Sequence, residues 1–333
     1  MGKTERVTCE YLRADDIFAD VLNMALYSGK NVVKPENISE LDAAYMMEVP
    51  DAFSENSANK KGKLQTQINR YRDILRMVRL DGPGDNAEYC VRLIAGVEQQ
   101  TNVHYAMPVR DMLYDALEYA GQVKEKAYEN IKSMNSKADL RKKRKLTHSE
   151  FLSGMRKGDK LIPVVTIVVY FQPEKWDGPK SLHEMLDFTG MSDEMVKRIP
   201  DYEMILLQPS DYKEMKNGEL KSSLSIVMGL LKCADSKTEF QDYVDKHSDI
   251  FRNLSYDAAA VISEYCSIEI TDEEISGKEV VDVCKAVEEI RKEGEDRGKI
   301  MAYMDMGVSM EEIAAKLKIT LGEIKEIADE IGA

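Results

Sequence analysis

The pattern of apolar and polar positions first becomes regular in DDIFADVLNMALY, residues 15–27. Its large apolar side chains recur every three or four residues, which predicts a helix with one buried stripe. Asp16 and Asp20 are four residues apart, so they share a different, polar face of that helix. The chain that follows is typical of a turn and an extended connection, and the polar residues 52–66 are typical of a loop.

Two apolar runs joined by a turn predict a β-hairpin. RYRDILRMVRL, residues 70–80, and YCVRLIAGVEQQ, residues 89–100, flank a turn rich in Gly, Pro and Asp. DKLIPVVTIVVYF, residues 159–171, is apolar at successive positions, which predicts a central strand covered on both faces. YEMILLQPSD, residues 202–211, predicts a shorter strand that ends at Pro209.

A long helix is predicted over residues 107–132, with Pro108 in its first turn. A helix, a hairpin, a second helix and two further strands together predict an α/β fold, a mixed sheet flanked by helices. We therefore expect residues 1–212 to form one α/β domain.

Beyond residue 213 the strand pattern disappears. Residues 213–275 contain amphipathic segments and predict a helical region, and residues 276–333 predict a charged helix followed by a helix-turn-helix-like tail. Two capping boxes mark the helix starts in that tail: Ser309 with Glu312, and Thr320 with Glu323.

Composition narrows the class of protein. With 43% hydrophobic residues the chain can bury a sizeable core. Its longest apolar run, residues 161–171, is much shorter than the roughly 20 residues that a membrane-spanning helix needs, and no export signal marks the start. The five cysteines are scattered and never form a CxxC pair. We expect a cytoplasmic protein with free thiols and no membrane partner.

The formal net charge of -14 argues against broad wrapping of nucleic acid, because phosphate binding depends on Lys and Arg. Any DNA contact must therefore be local. The main basic cluster is RKKRK, which is either a DNA-binding segment or a solvated charged loop: Arg141, Lys142, Lys143, Arg144 and Lys145.

The polar end of the second hairpin strand contains the candidate chemistry. Side chains alternate along a strand, so Glu98 and Gln100 share one face. Pairing within the hairpin could bring the carboxylate of Asp73 beside Glu98. Two clustered carboxylates repel each other unless a cation lies between them, and such oxygen ligands favour Mg²⁺ or Mn²⁺. Asp16 or Asp20 could supply a further ligand.

A purely structural interpretation of these acids stays open at this point. Asp73 lies between Arg72 and Arg76 and could be a salt-bridged surface acid, and Glu98 could simply end a strand. No GxSxG motif, no Gly-rich phosphate loop and no histidine cluster indicates another kind of chemistry.

Several long blocks follow one another in an order that resembles a known family. They include DDIFADVLNMALYSGKNVV, RYRDIL, GVEQQTNVHYAMPVRDMLYDALEYAGQV and GDKLIPVVTIVVYFQPEKW. The chain resembles the family of recombination-promoting nucleases and transposase-related proteins over residues 10–210 and, more weakly, over the helical tail. That family is similar to the PD-(D/E)XK nucleases, so the resemblance implies a restriction-endonuclease-like fold.

The resemblance also implies roles for individual residues. Asp73 and Glu98 correspond to the two acids that bind the divalent metal together with a backbone carbonyl, here that of Gln99. Gln100 stands where the superfamily has a lysine, so it would orient the attacking water without a positive charge. Asp16, or Asp20, resembles the acid of the first helix. Arg110, at the start of the next helix, is a candidate phosphate contact.

The function implied is a Mg²⁺-dependent DNA endonuclease linked to recombination or transposition. The alternative is a nuclease-like domain with little turnover that binds DNA or a protein. The tail is acidic at residues 323, 326, 329 and 330, and acids repel phosphate. We therefore expect the C-terminal helices to form a protein contact, such as a homo-oligomer, instead of reading a DNA groove.

Overall fold

The computed structural model describes residues 2–41, 73–81, 90–135, 145–213, 222–266 and 280–317, with residues 220, 268, 319–322, 324 and 325. The chain divides into two compact units, Met1–Lys232 and Cys233–Ala333. The sequence predicted three segments with boundaries after residues 212 and 275. The first compact unit extends beyond the earlier boundary because it includes a further buried helix.

Two helices begin the first unit. Helix α2, Asp15–Tyr27, has the bounds that its apolar periodicity predicts, and its C-terminus is followed by Ser28 in a left-handed conformation with φ of 55°. Helix α1, Lys3–Arg13, was not predicted. The chain turns between the two helices at Ala14, whose backbone is extended.

A five-stranded mixed sheet follows, in the order β1-β2-β3-β4-β5. The first strand pairs are antiparallel, whereas β3 with β4 and β4 with β5 are parallel. The predicted hairpin and the two later strands are confirmed, and β1 is additional. The strands are β1, Ile38–Glu40; β2, Ile74–Asp81; β3, Cys90–Gln100; β4, Val164–Tyr170; and β5, Ile205–Leu207. The polar loop predicted at residues 52–66 and the hairpin turn lie outside the described residues.

Helix α3, Met107–Asn135, packs on one face of this sheet. Its polar side chains hold the neighbouring strand: Tyr119 accepts a hydrogen bond from the backbone N–H of Val164 at 2.9 Å, and Thr166 donates to Asp115 at 2.7 Å. A buried cluster fills the space nearby: Met107, Val168, Tyr170, Trp176 and Met204. The last four residues of β4 are all buried, so the prediction of a doubly covered strand is confirmed.

Shorter helices complete the first unit. Helix α6, Leu224–Lys232, is almost entirely buried. The hydroxyl groups of Tyr11 on α1 and of Ser223, just before α6, lie 3.0 Å apart. The remaining elements are α4, His148–Ser153; α5, Asp193–Val196; α6, Leu224–Lys232; and 3-10 turns at Pro35–Asn37, His183–Met185 and Pro209–Asp211.

The second unit is mainly helical. Its helices are α7, Lys237–Lys246; α8, Ser248–Phe251; α9, Tyr256–Cys266; α10, Val283–Asp305; and α11, Met310–Leu317. Two short strands, β6, Leu254–Ser255, and β7, Val280–Val281, pair antiparallel. The expectation of no strand beyond residue 213 is therefore wrong, because each strand has only two residues and offers no alternation to detect.

The tail packs against the end of α10 through three buried isoleucines. They are Ile300 of α10, Ile313 of α11 and Ile324 beyond α11. Ser309 accepts a hydrogen bond from the backbone N–H of Glu312 at 3.3 Å, which is half of the predicted capping box. Glu323 of the second predicted box lies outside the described residues. None of the helices within the described residues combines the length and apolar character needed to cross a membrane.

Candidate active site

The register of the hairpin brings Asp73 to Glu98. Ile74 pairs with Val97, so the residue before β2 lies across from the residue after Val97. One hydrogen bond joins the two acids: the backbone N–H of Asp73 donates to Glu98 Oε1 at 3.3 Å. A second holds the Asp73 carboxylate beside the next residue of β3, because the backbone N–H of Gln99 donates to Asp73 Oδ2 at 3.0 Å. The predicted proximity of the two acids is therefore confirmed.

Glu98 also faces a cation from helix α3. Arg110 Nη2 lies 3.1 Å from Glu98 Oε2, in an ion pair whose glutamate side chain is 0% exposed and whose arginine side chain is 26% exposed. Arg110 Nε donates a 2.8 Å hydrogen bond to the hydroxyl of Tyr114, one helical turn later. The guanidinium also lies over the Tyr114 ring, 5.4 Å from its centre. Arg110 is thus held between a buried carboxylate and an aromatic ring.

Burial controls the electrostatics of the site. It raises the pKa of Asp73, although the Gln99 N–H and the charges of Arg110 and Arg13 oppose the shift. Burial alone would lower the pKa of Arg110, but Glu98 and Tyr114 outweigh it and the pKa is raised. Desolvation and then Glu98 raise the pKa of Tyr114. Desolvation is thus the main cause of the raised pKa of Asp73, and a cation placed beside Asp73 would favour its charged form.

The two glutamines of the motif lie on opposite faces of β3. Gln100 is on the same face as Glu98 and is partly exposed, so its amide can reach solvent. The Gln99 side chain points to the other face and is buried, and its Oε1 has no hydrogen-bond donor among the described residues. The Gln99 backbone N–H is already bonded to Asp73, so its main chain, and not its side chain, belongs to the site.

The acids of helix α2 serve other contacts. Asp20 is buried, and its Oδ2 accepts a 2.7 Å hydrogen bond from the backbone N–H of Ser222. Asp16 is exposed and lines a surface pocket with Asn31 and Lys34. Within the part of the chain that the structure describes, no three His, Cys, Asp or Glu side chains converge to hold a metal. The third acid expected from the first helix is therefore not assembled with Asp73 and Glu98.

The two remaining carboxylates nevertheless fit a hard divalent cation. Mg²⁺ is usually bound through one or two carboxylates and keeps several of its waters, so a third acid is not required. Asp73 is a half-buried acid whose pKa is raised mainly by desolvation, and a neighbouring cation would stabilise its charged form. The expected ligands are the carboxylates of Asp73 and Glu98 and the backbone carbonyl of Gln99. One oxygen of Glu98, Oε2, is already paired with Arg110.

The structure tests the salt-bridge alternative for Asp73 at Arg76 only, because Arg72 lies outside the described residues. Arg76 lies 3.5 Å from Glu40 of the neighbouring strand, and its side chain leaves the site. Arg13, on the unpredicted helix α1, donates to the Asp73 carbonyl at 3.3 Å. Sequence reasoning missed Arg13 because helix α1 was not expected.

The basic cluster lies almost wholly outside the described residues. Arg141, Lys142, Lys143 and Arg144 fall in that part of the chain, and Lys145 is exposed just before helix α4. Its proposed contact with DNA stays a prediction.

No family model, curated protein or solved structure matches the chain.

Proposed function

We propose that this protein is a metal-dependent DNA endonuclease with a restriction-endonuclease-like fold, in which Asp73 and Glu98 hold Mg²⁺ or Mn²⁺. The observation that carries the proposal is the meeting of the two acids at the open end of the hairpin, where Asp73 N–H donates to Glu98 Oε1 at 3.3 Å and Gln99 N–H donates to Asp73 Oδ2 at 3.0 Å. A fully buried carboxylate beside a half-buried one is costly unless a cation compensates the two charges. Such an arrangement is therefore better explained by a metal site than by packing.

The neighbouring residues of this chain divide the remaining work. A divalent cation at the two acids would supply a water that ionises near neutral pH. Gln100, two residues beyond Glu98 on the same face, orients that water through its amide. Because Gln100 lacks charge, it cannot stabilise hydroxide as lysine would, so we expect modest turnover.

The partners follow from the charge distribution. Arg110, a quarter exposed beside Glu98, is the proposed contact for a DNA phosphate, and residues 141–145 supply a second basic region. A role in recombination or transposition and a homo-oligomer formed through the C-terminal helices are parts of this proposal that rest on the sequence.

Cleavage of supercoiled plasmid tests the proposal. Nicking is expected with Mg²⁺ or Mn²⁺, and it should be lost in Asp73→Asn and Glu98→Gln but kept in Glu40→Gln, a matched change on β1 outside the site. The Gln100→Lys variant should cut faster, because it restores a positive charge beside the water. Nicking that persists in both acid variants would reject the site.

The second candidate function is a nuclease-like module that binds DNA or a protein without turnover. The ion pair of Arg110 with Glu98 favours it, since that pair neutralises the buried carboxylate without a metal. Calorimetry separates the two functions: the module would retain a labelled duplex while showing no heat of Mn²⁺ binding.

A further inference from the structure

The ion pair in the site joins two residues with unequal access to solvent. Glu98 is fully buried, whereas about a quarter of the Arg110 side chain is exposed. A buried carboxylate that loses its paired cation is strongly destabilising, so Glu98 requires a positive partner in every state of the protein. Arg110 meets that requirement in the absence of metal.

We propose that Arg110 is an internal counter-ion that a divalent cation must displace from Glu98, and that a DNA phosphate promotes the exchange by binding the released guanidinium. This inference rests on the proposed metal site and adds a regulation to it. Arg110 and the cation compete for the same oxygen, Glu98 Oε2, which lies 3.1 Å from Arg110 Nη2. Free protein then binds metal weakly, and DNA-bound protein binds it well.

Tyr114 keeps the released arginine in place. Its hydroxyl is bonded to Arg110 Nε and its ring lies beneath the guanidinium, so both contacts involve parts of Arg110 that do not touch Glu98. The terminal nitrogens can therefore leave the carboxylate while the rest of the group remains beside the site. A guanidinium in this position presents paired N–H donors, the geometry that suits a phosphate.

The exchange couples two binding events. Phosphate binding draws Arg110 away from Glu98, where it competes with the metal. Metal binding to Glu98 releases the Arg110 guanidinium, which can then bind phosphate. Each binding event must therefore strengthen the other by the same factor. Couplings of this type usually amount to about 5- to 150-fold in affinity. The protein would thus assemble its metal centre only where DNA is present.

The decisive experiment compares Mn²⁺ binding by the full chain with that by Arg110→Gln, followed by calorimetry and by the signal of free Mn²⁺ in electron spin resonance. Without DNA, Arg110→Gln should bind Mn²⁺ about 5- to 150-fold more tightly, because the competing cation is gone. Arg76→Gln is the matched control, since Arg76 pairs with Glu40 away from the site and its loss should leave Mn²⁺ affinity unchanged. Glu98→Gln should lose the tight site altogether.

The phosphate half of the proposal needs a second titration. The affinity for a fluorescent DNA duplex is measured by anisotropy at increasing concentrations of Ca²⁺. In the wild-type protein Ca²⁺ should strengthen DNA binding, and the strengthening should shrink in Arg110→Gln. An unchanged Ca²⁺ dependence in that variant would overturn the role of Arg110 in coupling.

Arg110→Lys covers the case in which the glutamine variant fails to fold. Lysine keeps the charge beside Glu98 but cannot bond Glu98 and Tyr114 together, so Mn²⁺ affinity should rise by a smaller factor than in Arg110→Gln. Equal Mn²⁺ affinity in the wild type and in both variants would overturn the proposal that Arg110 competes with the metal, and it would leave the proposed metal site intact. Absence of Mn²⁺ binding in all three would reject the metal site and the proposed function with it.

Discussion

Two buried acids of the first unit, Glu98 on β3 and Asp20 on helix α2, have different surroundings. Asp20 is 2% exposed, and its Oδ2 accepts a hydrogen bond from the backbone N–H of Ser222. Glu98 is 0% exposed and also accepts a hydrogen bond from a backbone N–H, that of Asp73, but its other oxygen is paired with an arginine side chain, that of Arg110. Both acids are candidate metal ligands in the sequence, but Asp20 is bonded to the backbone of Ser222 and Glu98 is paired with the side chain of Arg110.

The difference shows which buried acid can change partner. A backbone N–H cannot leave without unfolding the segment that carries it, so Asp20 is committed to joining α2 to the loop before α6. A guanidinium on a flexible stem can move aside and be replaced by another cation. Burial alone therefore does not indicate a functional acid, whereas burial next to an exchangeable cation does.

The largest expected effect is on cleavage. Glu98→Gln should lower plasmid nicking by about 100-fold or more, since even outer partners of metal ligands cost 10- to 100-fold. Asp20→Asn, the same acid-to-amide change at the other buried acid, should leave nicking unchanged. Rates from a gel assay at saturating Mg²⁺ decide the point, and equal losses in both variants would abolish the distinction.

The next effect is on stability without metal. Arg110→Met leaves Glu98 buried without its counter-ion and should reduce the free energy of unfolding by about 2 to 4 kcal/mol, near the range for breaking a buried pair. Adding Glu98→Gln to this variant should recover most of the loss, because no buried charge remains. Urea denaturation of the two single variants and the double variant measures the coupling, and strictly additive losses would contradict the pair.

A smaller loss is expected at the structural acid. Asp20→Ala removes the acceptor of the Ser222 N–H and should cost about 2 kcal/mol of unfolding free energy, the range for a hydrogen bond to a charged group. Mn²⁺ affinity in calorimetry should not change. A drop in that affinity would restore Asp20 to the metal site.

The pH dependence of Asp73 gives the smallest and most specific effect. Its pKa is raised in the folded protein, so the unfolded chain releases the proton first as the pH increases. Stability relative to Asp73→Asn should therefore fall as the pH rises through the ordinary value of 3.8 and then through the raised value. Denaturation series in the absence of metal measure this difference, and a difference that stays constant or grows in favour of Asp73 would refute the shift.

Much of the first unit could be predicted from local pattern. Helix α2 has its predicted bounds, and β3 ends at Gln100 as expected, because strong periodicity over many residues identifies an element. Helix α1 was missed because its stripe includes Thr8 and Cys9, which are weak apolar signals. Strands β6 and β7 were missed because each has only two residues, and strands this short form only through their tertiary pairing.

The candidate site was predictable only where strand register determines it. Alternation and hairpin pairing are local rules, and they were enough to place Asp73 beside Glu98. The ion pair with Arg110 depends on how α3 packs on the sheet, which no pattern in either segment specifies. The misplaced expectation for Asp20 has the same origin, since its partner Ser222 lies about 200 residues away.

The orientation of the hairpin has a consequence for engineering. The two acids lie at the open end of β2 and β3, whereas the last pair of the register, Asp81 with Cys90, lies at the other end. An eight-residue strand spans roughly 23 Å at about 3.3 Å per residue. A fluorophore or an affinity handle attached at Asp81 would therefore be far from the acids, which makes this position suitable for single-molecule experiments that leave the site unchanged.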